Sequence, residues 1–464
     1  MVSMFPLNLL LWFQLENYQI MRFLTFAYKN PLFRIKGSER QKLKRTSKMI
    51  LLFVISLVLF FWIQIFSFLS FNFSRIFFGI LLLSIACYPL IISLASLIIF
   101  PLEYGLKTRI VFKAKRKVKQ CPNLKVIGIT GSYGKTSVKS CLNLLLKDSF
   151  EGIAPIGTHN TLLGISQFIL NELKPTTQIM IVEMGAYVPG DIKELCDIVN
   201  PQYAILTGIT LQHLERFGSL DRIIQTKFEI TQNLKSDSVL FVDGENENIQ
   251  KGLERYTQNA PYQKEIISQL PVRYAPDFQG ISFIYQGTEY TTKLLGKHTA
   301  KNLSLAIAVA LKLWIDASTL QQRVEQLPFV EHRLELLYNP KTEVRVLDDS
   351  FNGNIEGVKT TVDLLQNTPF EGKKIYLTPW LVELGEKSDE VHLQIGKWLS
   401  TAVDRVLLIK NPRTLKIQEG LLNAWYPLSH IVMFDDVLQA HAEVGKYAQK
   451  GDIIVFQNDL TDNY

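Results

Sequence analysis

Cysteine is scarce in this sequence: Cys87, Cys121, Cys141 and Cys196 are the only four among 464 residues, and no two stand at a metal-gripping spacing. A disulfide framework and a zinc ribbon are thereby excluded, and the thiols read as reduced or buried. Charge is missing as well, from 49 to 73 and again from 76 to 102, with 72–75 as the polar break between the two runs. Each run exceeds the roughly 20 residues that cross a hydrocarbon core. No internal repeat, long low-complexity linker or cleavable leader is evident, since no small-residue cleavage site follows a suitable apolar region. The patch from Phe5 to Phe13 is too short to span a bilayer and is expected to lie in an interface or to pack on something else.

The formal net charge is +7. Nucleic acid is one partner for such a charge, but the basic residues gather beside the apolar runs, which makes a membrane surface the better one. Lys36, Arg40, Lys42, Lys44, Arg45 and Lys48 precede the first run; Lys107, Arg109, Lys113, Lys115, Arg116, Lys117 and Lys119 follow the second. The loop between offers only Arg75, so both outer ends are expected on the cytoplasmic side. The expected order is a basic cytoplasmic segment (1–48), a two-helix transmembrane hairpin (49–105), a basic juxtamembrane segment (106–120) and a catalytic body facing the cytoplasm.

That body reads as α/β. From 121 to 327, short apolar strands at 125–130, 179–184, 203–207 and 239–242 alternate with amphipathic segments, the pattern of a parallel sheet covered by helices. A helix at 300–314 closes this unit. From 328 to 464 a second, Rossmann-like unit offers strands at 344–347, 374–378, 405–409 and 452–457, with helices near 355–365 and 390–399.

The first strand runs into Thr130-Gly131-Ser132-Tyr133-Gly134-Lys135-Thr136-Ser137. A buried strand that stops at glycines presents successive backbone N–H groups, and the following helix aims its positive dipole end at the same place. Lys135 would reach the outer phosphates of a nucleoside triphosphate, and Thr136 would sit on a magnesium ion bridging them. The glycine of a full phosphate-loop pattern is replaced by Ile129.

Glu183 ends an apolar strand and is followed by Gly185, at the same sheet edge as the phosphate turn. It is either a magnesium ligand, direct or through water, or an ordinary strand-end carboxylate. His213, shortly after the next strand, is either a hydrogen-bonded loop residue or a neutral imidazole on a second metal. Lys227 looks like a solvated helix lysine, and spacing alone gives it no special role.

Taken together, Thr130 to Thr136, Glu183-Met184-Gly185, His213-Leu214-Glu215-Arg216-Phe217-Gly218-Ser219 and Lys227-Phe228-Glu229 resemble the Mur ligases of peptidoglycan synthesis. Gly296-Lys297-His298 with Asn302, His332-Arg333-Leu334-Glu335, Asp348-Asp349-Ser350-Phe351-Asn352 and Glu383-Leu384-Gly385-Glu386 extend the resemblance over about 124–460. Within the family it is most like the branch that adds D-alanyl-D-alanine to UDP-N-acetylmuramoyl-tripeptide. The resemblance implies a P-loop central domain and a C-terminal domain, with ATP and two magnesium ions. It implies activation of a carboxylate as an acyl phosphate and attack by an amine.

It further implies that Thr130, Gly131, Ser132, Gly134, Lys135, Thr136 and Ser137 hold the phosphates, and that Thr136, Glu183, His213 and Lys227 serve the metals. By the same resemblance Lys227 is carbamylated, Asn302 binds ATP, and Arg333 and Asp349 close over the nucleotide. Lys135, Lys227 and His213 are the catalytic candidates. Thr158, Asn160 and Asn352 are candidates for substrate binding.

Three departures bear on the substrate. The family's UDP-binding first domain gives way here to the apolar runs, the loop at 158–164 only partly resembles the acceptor loop, and Thr378-Pro379-Trp380 replaces Gly-Asp-Met. An altered or lipid-linked acceptor is therefore expected. The alternatives are a poly-γ-glutamate-synthetase-like enzyme, the subunit of lipid-linked precursor amidation that lacks a UDP domain, and a nucleotide-binding membrane scaffold without turnover. The metal-binding cysteines of the amidation group are absent, and a scaffold has no use for a second metal site.

Overall fold

Proline at the second position of a helix is harmless, but in the middle of one it removes a backbone donor. That rule fits a break ahead of Pro89, although the following helix carries Pro101 in its interior without one. In the computed structural model, which describes residues 5–16, 18–29, 46–71, 73–157, 159–211, 217–268, 270–350, 353–382 and 384–457, the second charge-free run is not one helix. It breaks at Cys87, just before Pro89, into Arg75–Ala86 and Tyr88–Lys119. With Ser47–Phe71, the described residues hold two helices long and apolar enough to cross a membrane, Ser47–Phe71 and Tyr88–Lys119. The basic stretch 106–120 is helical over nearly all its length, as the end of the second of these helices.

The chain divides into two compact units, Met1–Arg109 with Thr461–Tyr464, and Ile110–Leu460. In the first, the short N-terminal patch forms the helix Phe5–Leu15. Its Leu9, Leu10 and Phe13 are buried against Leu52, Tyr88 and Ile92, so packing is its role. Polar side chains pair inside this unit: Ser56 Oγ lies 3.1 Å from Tyr88 OH, Gln64 Nε2 donates to Ser84 Oγ at 2.7 Å, and Lys48 meets Glu103 at 2.8 Å.

The second unit begins with the end of the long helix, whose Val111, Ala114 and Val118 pack on the central domain. Six parallel strands follow, β1 (Lys125–Thr130), β2 (Gly152–Ile153), β3 (Ile179–Glu183), β4 (Tyr203–Leu206), β5 (Val239–Asp243) and β6 (Gln263–Ile267), in the order β2-β3-β1-β4-β5-β6. Side chains alternate between two cores, as strand pleating requires. Ile127, Ile129, Ile181, Ile205 and Phe241 face one helical layer; Val126, Val182, Leu206, Leu240 and Val242 face the other. Because β1 is flanked by β3 and β4, the turn after β1 opens beside the carboxyl ends of both.

A small antiparallel sheet, β7 (Val272–Tyr274), β8 (Ile281–Tyr285) and β9 (Thr288–Thr292), was not expected from the sequence. Its hairpin turns at Gln286 and Gly287, both at positive φ, the conformation of a tight two-residue turn. The last sheet runs β10-β11-β15-β12-β13-β14, from β10 (Glu335–Asn339), β11 (Val344–Asp349), β12 (Lys374–Thr378), β13 (Arg405–Ile409), β14 (Ile431–Phe434) and β15 (Ile453–Gln457). Only its β10–β11 pair is antiparallel; the other strands run parallel, matching the Rossmann-like expectation.

Candidate active site

The turn after β1 is fixed by glycines that admit no side chain. Gly131 has φ +151°, and a Cβ on it would stand 2.2 Å from Thr207 Oγ1. Gly134 has φ +79°, and its Cβ would stand 2.7 Å from Asn302 Oδ1. Both positions therefore need glycine, for conformation and for space. The turn is also tied to the end of β4: Ser132 N donates to Gly208 O at 2.6 Å, and Thr207 Oγ1 donates to the carbonyl of Tyr133. Lys135 Nζ lies across this turn, donating to the carbonyls of Gly131 and Ser132 at 2.8 and 3.2 Å. Thr130 Oγ1 holds the neighbouring strand end, donating to Met184 O at 3.0 Å. Ser137, in the first turn of the helix Lys135–Leu146, lines a small cleft with Gly134 and Arg333.

Glu183 is no surface carboxylate. It is 2 % exposed, and three side chains from one helix and one loop converge on it. Thr136 Oγ1 donates to its Oε2 at 3.0 Å, Asn160 Nδ2 approaches Oε1 at 3.4 Å, and Lys139 Nζ lies 3.4 Å from Oε2. A hydroxyl, a carboxylate and a carboxamide offer oxygen donors only, the set that suits a hard divalent cation such as magnesium. Lys139 escaped sequence reading. Its position, four residues after Lys135 and so on the same helix face, was the available signal.

Lys227, on the helix Leu220–Phe228, is 4 % exposed rather than solvated. Burial, reinforced by the charge of Lys135, lowers its amine to about 7, against the opposing pull of Asp191 and Glu229. Lys135 itself falls to about 8, chiefly through burial, with Glu183 raising it and Arg333 lowering it. Two lysines are thus brought near the pH at which a neutral amine is common. His213 and Thr158 lie outside the described residues, as does Asn352.

The second sheet supplies the opposite wall. Arg333 stands between His332 and Leu334, both at positive φ, so the backbone is bent at either side of the guanidinium. His332 Nδ1 pairs with Asp348 Oδ2 at 2.7 Å, and its backbone N–H donates to Glu335 Oε2 at 3.1 Å, which fixes that bend. Asp349, at the end of β11, accepts from Gln457 Nε2 at 2.6 Å and from Thr361 Oγ1 at 3.3 Å. Burial lifts its carboxyl to about 6, with Gln457 and Arg333 pulling the other way.

Between the two sheets opens a cleft of about 520 Å³, lined among others by Tyr133, Asp243, His298, Asn302 and Glu356. Asn302 is almost wholly buried on the helix Lys297–Lys312. His298 beside it is kept neutral: burial, with Arg333 and Lys301, lowers it to about 4. Its buried Nδ1 has no partner among the described residues. A buried polar atom left unpaired is costly, and this one faces Gly296, whose Cβ would stand 2.9 Å from it. The phosphate turn, Asn302 packed against Gly134 and the cleft together fit a nucleoside triphosphate.

Known proteins carry the same two halves. Residues 129–310 match the Mur ligase middle domain, and 332–457 match the Mur ligase glutamate ligase domain. The UDP-N-acetylmuramoyl-tripeptide–D-alanyl-D-alanine ligase of Bacillus subtilis is 29% identical over 346 residues, covering 72% of each chain. A MurF ligase of Thermotoga maritima, solved with ADP, has a TM-score of 0.64 at 25% identity and covers 76% of this chain and 80% of its own. MurF of Acinetobacter baumannii shares the fold at a TM-score of 0.66 and 22% identity, over 76% and 77%. Both halves of the body are matched in chain order, and the glycine turn at 130–137 and Arg333 fall within them: the chain belongs to the Mur ligase family.

Proposed function

We propose that this protein is an ATP-dependent amide ligase of the MurF kind, joining D-alanyl-D-alanine to a muramoyl-tripeptide carboxylate. The observation that carries the reading is the convergence of Lys135, Thr136, Glu183 and Lys227 at one sheet edge, faced by Arg333 and Asp349 from the second sheet. In the reaction, the acceptor carboxylate takes the terminal phosphoryl group of ATP, the phosphoanhydride bond breaks, and ADP leaves. The amine then attacks the acyl carbonyl, phosphate departs, and the amine loses a proton.

Several negative oxygens meet in the first step, and the chain's own groups neutralise them. Lys135 and the backbone N–H groups of the turn hold the phosphates, and Arg333 adds positive charge from the other wall. Thr136, Glu183 and a carbamylated Lys227 would hold magnesium, which supplies charge neutralisation when bound. Asn302 and His298 orient the nucleotide. Asn160, beside Glu183, is placed to meet the acceptor. Closing the second sheet's wall keeps water from the acyl phosphate.

A second reading concerns where the acceptor comes from. An apolar helix of membrane length, Tyr88–Lys119, comes just before the central domain in the chain. This supports a lipid-linked muramoyl peptide, presented at the inner leaflet of the cytoplasmic membrane, as the acceptor. The deciding measurement is ADP release by detergent-purified protein supplied with D-alanyl-D-alanine and either UDP-muramoyl tripeptide or its lipid-linked form, with glutamate as a competing amine. Turnover with either acceptor sustains the ligase reading, and turnover with the lipid form alone sustains the second. Turnover with glutamate only would move the protein to the polymer synthetases.

Membrane attachment has its own test. Removing residues 1–105 is expected to release the protein to the soluble fraction with ADP binding kept within about twofold, since the cleft lies wholly in the second unit. Continued pelleting with membranes would refute anchoring by the apolar helices.

A further inference from the structure

Lys139 is a buried cation without an assigned role. It lies one turn beyond Lys135 on the helix Lys135–Leu146 and is 4 % exposed. Its Nζ lies 3.4 Å from Glu183 Oε2 and donates to the carbonyl of Gly157. Asn160, three residues further on, returns to the same place. Its Nδ2 approaches Glu183 Oε1 at 3.4 Å, and its carbonyl accepts from Gly185 N at 2.9 Å. Space is tight there, since a Cβ on Gly185 would stand 2.7 Å from Asn160 Cγ. Glu183 is therefore shared by the phosphate-turn helix, through Thr136 and Lys139, and by the acceptor-side chain, through Asn160.

Burying an ammonium is expensive unless it is paired and hydrogen-bonded. An apolar residue would fill the same space at lower cost if packing were all that was needed. What the lysine adds is reach: one cation joins a carboxylate at the end of β3 to a carbonyl on a separate loop. We propose that Lys139 is a positioning residue that holds Gly157 and Asn160 in register with Glu183, so that acceptor and nucleotide are aligned by one carboxylate. The kinetic part rests on the ligase reading; the binding and exchange parts do not.

The test uses the full-length protein in detergent, as Lys139→Met and Lys139→Arg. Three quantities are read: ADP affinity by calorimetry without magnesium, exchange of the Gly185 amide, which donates to Asn160 O, and the KM and kcat for acceptor and ATP. Lys139→Met is expected to keep ADP affinity within about twofold and to speed exchange of the Gly185 amide about tenfold. Acceptor KM should rise about tenfold, with a smaller change in ATP KM. Lys139→Arg should restore most of both effects. If Lys139→Met does not fold, Lys139→Gln, which keeps a donor but no charge, carries the same comparison. Unchanged exchange and unchanged acceptor KM would overturn the proposal, as would equal losses for acceptor and ATP. A wild-type enzyme silent with every acceptor would count against the ligase reading, and the exchange arm would still decide for or against Lys139.

Discussion

Replacing Lys227 by alanine is expected to cut ligation by about two to three orders of magnitude, the scale of losing one charge-stabilising group from a water-excluded site. Short carboxylates such as formate or acetate should return part of the activity. An unmodified lysine at this position makes poor electrostatic sense. It is buried, the charge of Lys135 further disfavours its own, and the site must gather anionic phosphates with their metal ions. Carbamylation removes the conflict, because the amine adds to CO₂, releases a proton and becomes an anion. The neutral amine is the nucleophile in that addition, and an amine lowered to about 7 is neutral in substantial part at ordinary pH. Activity of CO₂-depleted enzyme should therefore return on equilibration with CO₂ and, at a fixed CO₂ pressure, faster at pH 8 than at pH 6. Full activity of the alanine variant without any added acid would remove Lys227 from the site.

Much of this arrangement was legible in the sequence, and the parts that were not have physical reasons. Strands 125–130, 374–378 and 405–409 coincide with β1, β12 and β13, because strands buried on both faces read as unbroken apolar runs bounded by polar turns. Edge and half-exposed strands lack that signature. Glu335–Asn339 carries mostly exposed or part-exposed side chains, and the two-residue Gly152–Ile153 is too short for any period to show. The hairpin at Gln286 and Gly287 could have been found, since Ile281, Phe283 and Tyr285 alternate toward the core just before a glycine turn.

Within the site, Lys135, Thr136 and Glu183 follow from motif and strand position, and Asn302 from the family resemblance alone. The weight of Lys227 and Lys139 does not. A lysine on an amphipathic helix is written the same way whether it faces water or a buried carboxylate, and only the packing of neighbouring elements distinguishes the two. Cys87 teaches the same lesson in the first unit: hydropathy counts the run 76–102 as continuous, whereas the backbone breaks ahead of Pro89.

Lys135→Met should separate function from stability. Methionine matches the length of the chain but carries neither charge nor donor, so kcat/KM is expected to fall by about two orders of magnitude or more. The fold should nevertheless melt no lower than the wild type. The amine of Lys135 is depressed from its usual 10.5 to about 8 by burial, a penalty of about 3 kcal/mol on the charged form. Against this stand two hydrogen bonds to Gly131 O and Ser132 O, each contributing about 1 kcal/mol. Relief of burial outweighs their loss by about 1 kcal/mol. The sign of the pH dependence follows from linkage. Below pH 8 the folded and unfolded chains both carry the proton and the penalty is complete; between about 8 and 10.5 the unfolded chain binds more protons, so wild-type stability gains with rising pH. In Lys135→Met that share of the gain disappears, leaving the share due to Lys227. Denaturant unfolding of both proteins at pH 7 and pH 9.5, without nucleotide, measures the difference: the variant should lead at pH 7 and lose its lead at pH 9.5. A variant less stable at pH 7 would mean that the hydrogen bonds of the empty turn outweigh the burial of the charge.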